Sequence, residues 1–381
     1  MRTLVISDLH LGVRSGADVL RRPTALDVLC SRLEGVDRLV LLGDVLEMRH
    51  GPARGALAAA EPAMRALGDA LGAGGEVVIL AGNHDHAVAA GWLDWRGRRE
   101  PPPPLALEQR LAPQHASWIA KRLAGWLAPA AVQVAYPGIW LRDDVYATHG
   151  HYLDVHCTTP TLEVLGARAM ARMVGAVPAS ATSDDYEALL APIYAWIQAS
   201  AQRAAPTRRA AGGGTAIDVW RELEGSGRRR TPRRLAVRNG FRVAVAAVNR
   251  VGLGPVHPSL SGPAMRRAGL AAIAEAAGRL GLAPAHLIFG HTHRAGMLAG
   301  DDAGEWRTPA GTALHNAGCW VFETHFMGDR PRGASPYWPG GVLVLDDDGP
   351  PRLERLLGDV PAGVLLGSVA GRAVLSPRPR A

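Results

Sequence analysis

Residues 3–10 of this chain read TLVISDLH, a short and largely apolar run followed at once by a polar turn with an aspartate and a histidine. A short apolar run bounded by turn residues predicts a buried strand. The same layout recurs as LVLLGDVLE at 39–47, VVILAGNHD at 77–85, VYATHGH at 145–151 and HLIFGHTH at 286–293. Amphipathic stretches at 23–33 and 56–71 predict helices between the first strands. The alternation of strands and helices predicts an α/β core.

Polar residues follow each of these five predicted strands. Ligands of open α/β sheets bind outside the carboxyl ends of the strands, so we expect these residues to converge on one rim. They are Asp, His and Asn, whose oxygen and imidazole donors suit borderline divalent ions. Asp8 and His10 are two positions apart, as are His291 and His293, so each pair can face one side of an extended turn. Four glycines permit sharp turns there, namely Gly43, Gly82, Gly150 and Gly290.

The composition supports a large folded protein. The chain has 381 residues, of which 48% are hydrophobic and 20% are charged, and this excludes general disorder. Its 42 basic and 35 acidic residues leave a formal net charge of +7. Lys121 is the single lysine and arginine supplies the rest, as in proteins encoded by G+C-rich DNA. The positive charge is therefore weak evidence for a nucleic-acid partner. The arginine cluster Arg228–Arg234 leaves two interpretations, a substrate phosphate site or a solvated loop.

The cysteines and the apolar segments indicate the cellular compartment in which the protein works. Cys30, Cys157 and Cys319 are far apart and form no metal-binding or disulfide framework, which favours a reducing, cytoplasmic environment. The first residues run directly into a strand, so we expect no signal peptide. No stretch reaches the roughly 18 consecutive apolar residues that span a bilayer.

The spacing of the patterns predicts one core with an insertion. We expect the core to comprise residues 1–154 and 281–381, and a helical cap insertion to comprise residues 155–280. Further strands are predicted at 320–322 and 341–345, and a helix at 105–127. The predicted helices of the insertion are 160–173, 184–202, 216–224, 235–251 and 262–280.

In chain order, the motifs DxH, GDxxE, GNHD, a later His-Gly and GHTH resemble those of the calcineurin-like metallophosphoesterase superfamily. The resemblance covers residues 8–293. It implies an α/β fold in which helices flank a β-sandwich of two mixed sheets, and a site for two divalent ions. Carried onto this chain, it gives one ion to Asp8, His10 and His293 and the other to Asn83, His149 and His291, with Asp44 as the bridge.

The resemblance also implies roles for residues beside the ions. His84 is the predicted catalytic histidine next to the scissile phosphate, and Asp85 is predicted to orient its ring. Glu47 has two interpretations, a partner of the ligands or an acid at a helix start. His151 and Asp154 are predicted to bind substrate, with polar rim residues as the alternative.

These observations predict a metal-dependent phosphoesterase that hydrolyses a phosphomonoester, phosphodiester or pyrophosphate of a small molecule or nucleotide. Manganese is the expected metal, with iron and zinc as alternatives. The helical insertion and SDLHL are similar to the UDP-2,3-diacylglucosamine hydrolase branch, a hypothesis about substrate only. The other two functions considered are a metal-dependent nuclease and a non-catalytic metal-binding scaffold. Peripheral contact with a membrane and the oligomeric state stay open.

Overall fold

The computed structural model describes residues 1–203, 232–259, 261–327 and 333–367. Within them, ten strands form a mixed sheet. The strands are β1 (Thr3–Ile6), β2 (Arg38–Leu42), β3 (Glu76–Leu80), β4 (Glu108–Leu111), β5 (Ala131–Arg142), β6 (Val145–Thr148), β7 (His286–Phe289), β8 (Ala313–Asn316), β9 (Gly341–Leu345) and β10 (Arg352–Arg355). The predicted α/β class is confirmed.

The order of the strands is β10-β9-β1-β2-β3-β5-β6-β7-β8, with β4 paired to β5. Strands β1, β2, β3 and the start of β5 are parallel, as are β6, β7 and β8. The long strand β5 joins these two groups, because residues 131–135 pair with β3 and residues 138–142 pair with β6. The carboxyl ends of β1, β2 and β3 therefore meet at one edge.

Helices cover the sheet, and those at 23–32, 53–71, 162–174, 183–203, 232–248 and 262–279 follow predicted segments to within a few residues. They are α1 (Pro23–Arg32), α2 (Ala53–Leu71), α3 (Ala87–Gly97), α4 (Pro113–Ala116), α5 (Trp118–Leu127), α6 (Leu162–Val174), α7 (Ser183–Arg203), α8 (Pro232–Val248), α9 (Gly262–Arg279) and α10 (Ala362–Leu366). A short 3₁₀ helix, His151–Val155, follows β6. The predicted helix 216–224 and the side chains of the arginine cluster lie outside the described residues.

Alternate residues of a strand belong to different apolar cores, as the period of two in a strand requires. Leu4 and Ile6 of β1 pack with helices α1, α2 and α5, whereas Val5 between them packs with residues of β5, β6 and β7. A third core joins α9 to β7 through residues such as Ile273 and Phe289. Both faces of the strands are thus buried, which explains their continuous apolar sequences.

The prediction of one helix over 105–127 is wrong. Residues 108–111 form β4, an antiparallel partner of β5. Pro113 then begins α4, and Ala112 before it has extended backbone angles, as residues before proline prefer. Ser117 ends α4 and begins α5, because its Oγ accepts a hydrogen bond from the Ala120 amide at 3.0 Å.

The predicted strand at 320–322 is also wrong. Only an isolated bridge between Asp18 and Val321 forms there. Trp320 is fully buried and its Nε1 donates to the Gly341 carbonyl at 3.1 Å. The apolar run therefore reflects burial of a turn, which periodicity alone cannot separate from a short strand.

Across the described part of the chain, no helix combines the length and the apolar character that a membrane crossing needs.

Candidate metal centre

The polar residues after five strands come together at one edge of the sheet. Backbone hydrogen bonds connect their loops, since the His10 amide donates to the Asp44 carbonyl at 2.8 Å and the Gly290 amide donates to the His149 carbonyl at 3.0 Å. Three clusters of side chains that can bind a metal ion result. They are Asp8, His10 and His293; His10, Asp44 and His84; and Asp44, His149 and His291.

The first cluster has an arrangement that fits a cation. The Nε2 atoms of His10 and His293 lie 3.0 Å apart, and Asp8 Oδ1 lies 3.4 Å from His293 Nε2. Glu47 Oε2 accepts a hydrogen bond from His10 Nδ1 at 3.2 Å, so the lone pair of His10 is on Nε2. Asp8 Oδ1 is buried and has no hydrogen-bond partner among the described residues. A bound cation would satisfy this oxygen.

The third cluster, Asp44, His149 and His291, has its histidine rings held in the same way. His149 Nδ1 donates to the Leu42 carbonyl at 2.9 Å, and His291 Nε2 donates to Asp154 Oδ1 at 3.0 Å. The opposite ring nitrogens lie 3.1 Å and 3.0 Å from the Asn83 amide. The free lone pairs of both rings therefore point to one place.

The Asn83 amide has two orientations with different consequences. When Oδ1 points toward His149 and His291, the amide oxygen and the two ring nitrogens are all acceptors that face one another. Acceptors are arranged in this way around a bound cation. With the amide swapped, its nitrogen donates to His149, His291 and Asp44, and its oxygen accepts from Arg49 at 2.9 Å. Contacts among protein groups alone favour the swapped amide, and a cation favours the first orientation.

Asp44 lies between His10 of the first cluster and His149 of the third. Its Oδ2 is 3.6 Å from His10 Nε2 and 3.4 Å from His149 Nε2, and its Oδ1 accepts from the His84 amide at 2.8 Å. Burial opposes ionisation of this carboxyl, but His149 and His84 hold its pKa well below its usual range. Asp44 is therefore a buried anion between two groups of nitrogen ligands.

The backbone is strained at the predicted ligands. The non-glycine residues with positive φ in the described part of the chain are Asp8 (56°), His10 (44°), Asp44 (52°), His291 (64°) and His293 (58°). Left-handed backbone at such residues costs of order 1–3 kcal/mol each and persists where function requires it. All five are predicted metal ligands.

Two of the four predicted turn glycines are required for space rather than for their φ angle. A Cβ on Gly82 would lie 2.2 Å from Asp44 Oδ1, and one on Gly290 would lie 2.0 Å from Ser7 Oγ. Gly43 and Gly150 do have positive φ, at 85° and 102°. The glycines let neighbouring loops approach within van der Waals distance.

The prediction that Asp85 orients His84 is wrong. The two oxygens of Asp85 accept hydrogen bonds from the amides of Gly82, Asp44, Val45 and Leu46, at 2.7 to 3.2 Å. Asp85 therefore shapes the loop after β2. Burial, together with the charge of Asp44, raises the pKa of Asp85 to about 6.

Glu47 is the residue that orients His84. Its Oε2 accepts a hydrogen bond from His84 Nδ1 at 2.8 Å as well as the one from His10. Glu47 lies in a loop, and α2 begins only at Ala53, so the helix-start interpretation is wrong. Burial and the nearby Arg49 lower the pKa of His84, which favours a neutral ring with Nε2 free of the carboxylate.

His151 and Asp154 lie beneath the ligand histidines, not on a polar rim. Asp154 holds His291, as described above, and it is 4% exposed. His151 is 1% exposed, and its Nε2 lies 3.5 Å from the Tyr136 hydroxyl. Their burial corrects the rim interpretation, and Asp154 contacts a predicted ligand directly.

Arg49 and Glu163 belong to the site and were not predicted. Arg49 Nη1 lies 2.5 Å from Glu163 Oε1 and 3.3 Å from His84 Nε2. Arg49 Nη2 donates to the Asn83 carbonyl at 2.9 Å. Its position two residues after the GDxxE motif is the only signal in the sequence, and nothing in the pattern marks Glu163.

A cavity of about 330 Å³ adjoins the clusters. His291 and His293 lie in its wall beside Asp154. Most of the remaining wall is apolar and includes Leu153, Val164, Met265, Leu270, Phe289 and Trp306. A cavity of this size accommodates a small-molecule group.

The α/β fold brings carboxylate, amide and imidazole donors together at the strand ends, and these donor types suit a divalent metal ion. The model of the calcineurin-like phosphoesterase family matches residues 1–197, and the chain belongs to this family. It is therefore a metal-dependent phosphoesterase. The match includes Asp8, His10, Asp44, Asn83 and His149. No curated protein matches the chain.

Proposed function

We propose that the protein is a dinuclear-metal phosphoesterase acting on a small-molecule or nucleotide-type phosphoester or pyrophosphate. The observation that carries the proposal is Asp44, a buried carboxylate between two convergent ligand groups. One ion would be held by Asp8, His10 and His293, the other by Asn83, His149 and His291, and both by Asp44. Two such ions bind phosphate oxygens and supply an activated water.

The chain's own residues would supply the remaining chemistry. His84 is fixed by Glu47 through Nδ1, so its Nε2 faces the place where a leaving oxygen would lie. In the neutral ring Nδ1–H is donated to Glu47 and Nε2 carries the lone pair, so Nε2 can accept a proton from the attacking water and then pass that proton to the leaving oxygen. Asp85 maintains the loop that carries Asp44, which is an indirect role.

The types of donor in the clusters limit the choice of metal. Imidazole nitrogen and carboxylate or amide oxygen suit Mn²⁺, Fe²⁺ or Zn²⁺, and the three cysteines are absent from the clusters. We propose Mn²⁺. The three thiols are unpaired, which is the basis for proposing a cytoplasmic location.

We also propose that the fold is a sandwich of two sheets with a helical cap. The support is the apolar core shared by β1, β2 and β3 on one side and β6 and β7 on the other, with β5 passing between the groups. The cap would comprise residues 155–280. Its helix α6 begins at the metal clusters, where Glu163 contacts Arg49, and its helix α9 rests on the core.

The apolar cavity favours a substrate with an apolar group attached near the phosphate. A nuclease would instead need a basic, open groove for a phosphate backbone. The arginines in the cavity wall are already paired, since Arg266 contacts Glu305 at 2.6 Å and Arg294 contacts Asp301 at 2.5 Å. The diacylated sugar nucleotide that the UDP-2,3-diacylglucosamine hydrolase branch cleaves is one such substrate.

Loading with Mn²⁺ and replacing Asp44 tests the function. We expect the wild-type protein to bind two ions and to hydrolyse p-nitrophenyl phosphate or its bis ester. Asp44→Asn should lower activity by more than about 100-fold, because it removes a shared ligand. Chelation should abolish activity, and Mn²⁺ should restore it. Comparing nucleoside diphosphate sugars with DNA separates a small-molecule enzyme from a nuclease.

Asp27→Asn is the matched control, since Asp27 is an exposed carboxylate on α1 that belongs to none of the clusters. A wild-type protein that binds no divalent metal would contradict the enzyme proposal and the scaffold alternative together. Two bound ions with no hydrolysis of any phosphoester would favour the scaffold.

A further inference from the structure

We propose that Arg49 binds a phosphate oxygen of the substrate and that Glu163 occupies Arg49 until substrate displaces it. Glu163 then acts as a latch between helix α6 and the site. The inference rests on the proposed function, because it assumes that a phosphate group reaches the metal clusters. It assigns Arg49 as a phosphate-binding residue and Glu163 as the carboxylate that competes with phosphate for Arg49.

The guanidinium of Arg49 is fixed beside His84. Its Nε and Nη2 donate to the Asn83 carbonyl at 3.2 Å and 2.9 Å, and the side chain is only 9% exposed. Its Nη1 lies 3.3 Å from His84 Nε2. Glu47 accepts from Nδ1 of His84, which leaves Nε2 as the ring nitrogen open to a ligand. A phosphate that reaches Nε2 also comes within reach of Arg49 Nη1.

Arginine is well suited to bind phosphate there. Its charge is permanent, and its planar donors match phosphate oxygens. Two of the donors of Arg49 hold the backbone of Asn83 and orient the guanidinium. Nη1 is thus the donor available for exchange between partners.

In the structure, the carboxylate of Glu163 accepts a hydrogen bond from Arg49 Nη1. Its Oε1 lies 2.5 Å from Arg49 Nη1, and its side chain is 20% exposed, so solvent and ligands reach it more easily than they reach Arg49. It lies in the first turn of α6, where Thr161 caps the helix through a 3.2 Å hydrogen bond from the Val164 amide. A carboxylate is stabilised at this end of a helix.

The two anions cannot share Arg49 without repulsion. A phosphate next to His84 would approach the carboxylate of Glu163, and like charges at close range are unfavourable. Exchange of Glu163 for phosphate keeps the buried guanidinium paired throughout, which avoids the cost of an unpaired buried charge. Substrate binding therefore breaks the contact between Glu163 of α6 and Arg49.

The test measures binding of inorganic phosphate to the Mn²⁺-loaded protein by calorimetry, together with KM for p-nitrophenyl phosphate. Glu163→Gln should bind phosphate about 5-fold more tightly and lower KM, because a competing charge is gone. Arg49→Gln should weaken phosphate binding by about 10-fold or more, the range for a lost hydrogen bond to a charged group. Arg49→Lys, which keeps the charge but loses the planar donors, should fall between wild type and Arg49→Gln.

Glu354→Gln is the matched control, because it also removes a carboxylate charge from an arginine, in a 2.7 Å ion pair with Arg32 away from the clusters. It should leave phosphate affinity unchanged. Weaker or unchanged phosphate binding in Glu163→Gln would overturn the latch, provided thermal melting shows that the variant is folded. The binding measurement does not require turnover, so wild-type protein that binds phosphate without hydrolysing esters would refute the proposed function and leave the latch testable.

Discussion

Three of the four predicted ligand histidines are held through the ring nitrogen that faces away from the clusters. Glu47 holds His10, and Asp154 holds His291. The backbone carbonyl of Leu42 does the same for His149. Such partners set the tautomer, and the carboxylates also increase the basicity of the ligand nitrogen. Asp154 thus positions a predicted ligand, and its predicted role in substrate binding stays a prediction.

Removing either carboxylate charge should weaken one ion more than the other. Glu47→Gln and Asp154→Asn keep the side-chain shape, and each should lower Mn²⁺ affinity by about 10-fold to 100-fold. At a concentration of Mn²⁺ where wild type keeps two ions, each variant should keep one, measured by equilibrium dialysis. Glu61→Gln, on the exposed face of α2, is the control. Loss of both ions in both variants would show that the two sites are not separable.

At the scale of the elements, the loops after the strands carry the ligands on strained backbone. The loop after β7 approaches the loop after β1 so closely that only glycine fits at position 290, where a Cβ would lie 2.5 Å from Asp8 Oδ2. The His291 amide then donates to the same oxygen at 2.9 Å. This contact connects two ligand loops that are 283 residues apart.

Gly290→Ala should therefore separate the two loops. We expect a loss of about 1–3 kcal/mol in the free energy of unfolding, the usual cost of overpacking, with a loss of the ion held by Asp8. Urea denaturation and metal content measure the two effects.

Gly278→Ala is the matched control, because nothing lies within 4 Å of a Cβ there and the residue is in helix α9. It should stabilise the protein by up to about 1 kcal/mol. Equal stability of the two variants would contradict the packing argument.

At the scale of the whole molecule, a buried polar network attaches helix α7 to the sheet. Glu187 Oε1 accepts hydrogen bonds from the hydroxyls of Tyr136 and Tyr152 at 2.5 Å and 2.7 Å, and Oε2 accepts from His86 at 3.1 Å. Burial opposes the charge, but these donors lower the pKa of Glu187 below its usual value. The network connects the proposed cap to the core beneath the metal clusters.

Glu187→Ala should destabilise the protein by about 3–5 kcal/mol, because it leaves buried donors without their acceptor. The carboxylate's pKa is lower in the folded state, so its contribution is present above the unfolded pKa of 4.5 and is lost as the pH falls through the folded value. The difference from wild type in urea denaturation should therefore shrink below pH 4.5.

The control is Glu275→Ala, which breaks a 2.7 Å ion pair on the surface of α9 and should cost less than about 1 kcal/mol. A pH-independent difference would contradict an ionised Glu187.

Much of the fold was predictable because strands and their polar turns are local patterns. An apolar run of four or five residues followed by a glycine and an acid or histidine predicts both the strand and the place of its ligands. The wrong predictions arose where the local sequence pattern was missing or ambiguous. Residues 108–111 carry no apolar alternation, and they form β4 only because β5 offers an edge for pairing.

The residues around the ligands depend on the tertiary structure instead. Asp85 is next to His84 in sequence, yet Glu47, 37 residues away, orients the ring. The partner of Arg49 is 114 residues away, and that of His291 is 137 residues away. Such contacts follow from the order of the strands and the placement of the helices above them. The ligand types were thus readable along the chain, whereas their partners were decided by which loops the sheet brings side by side.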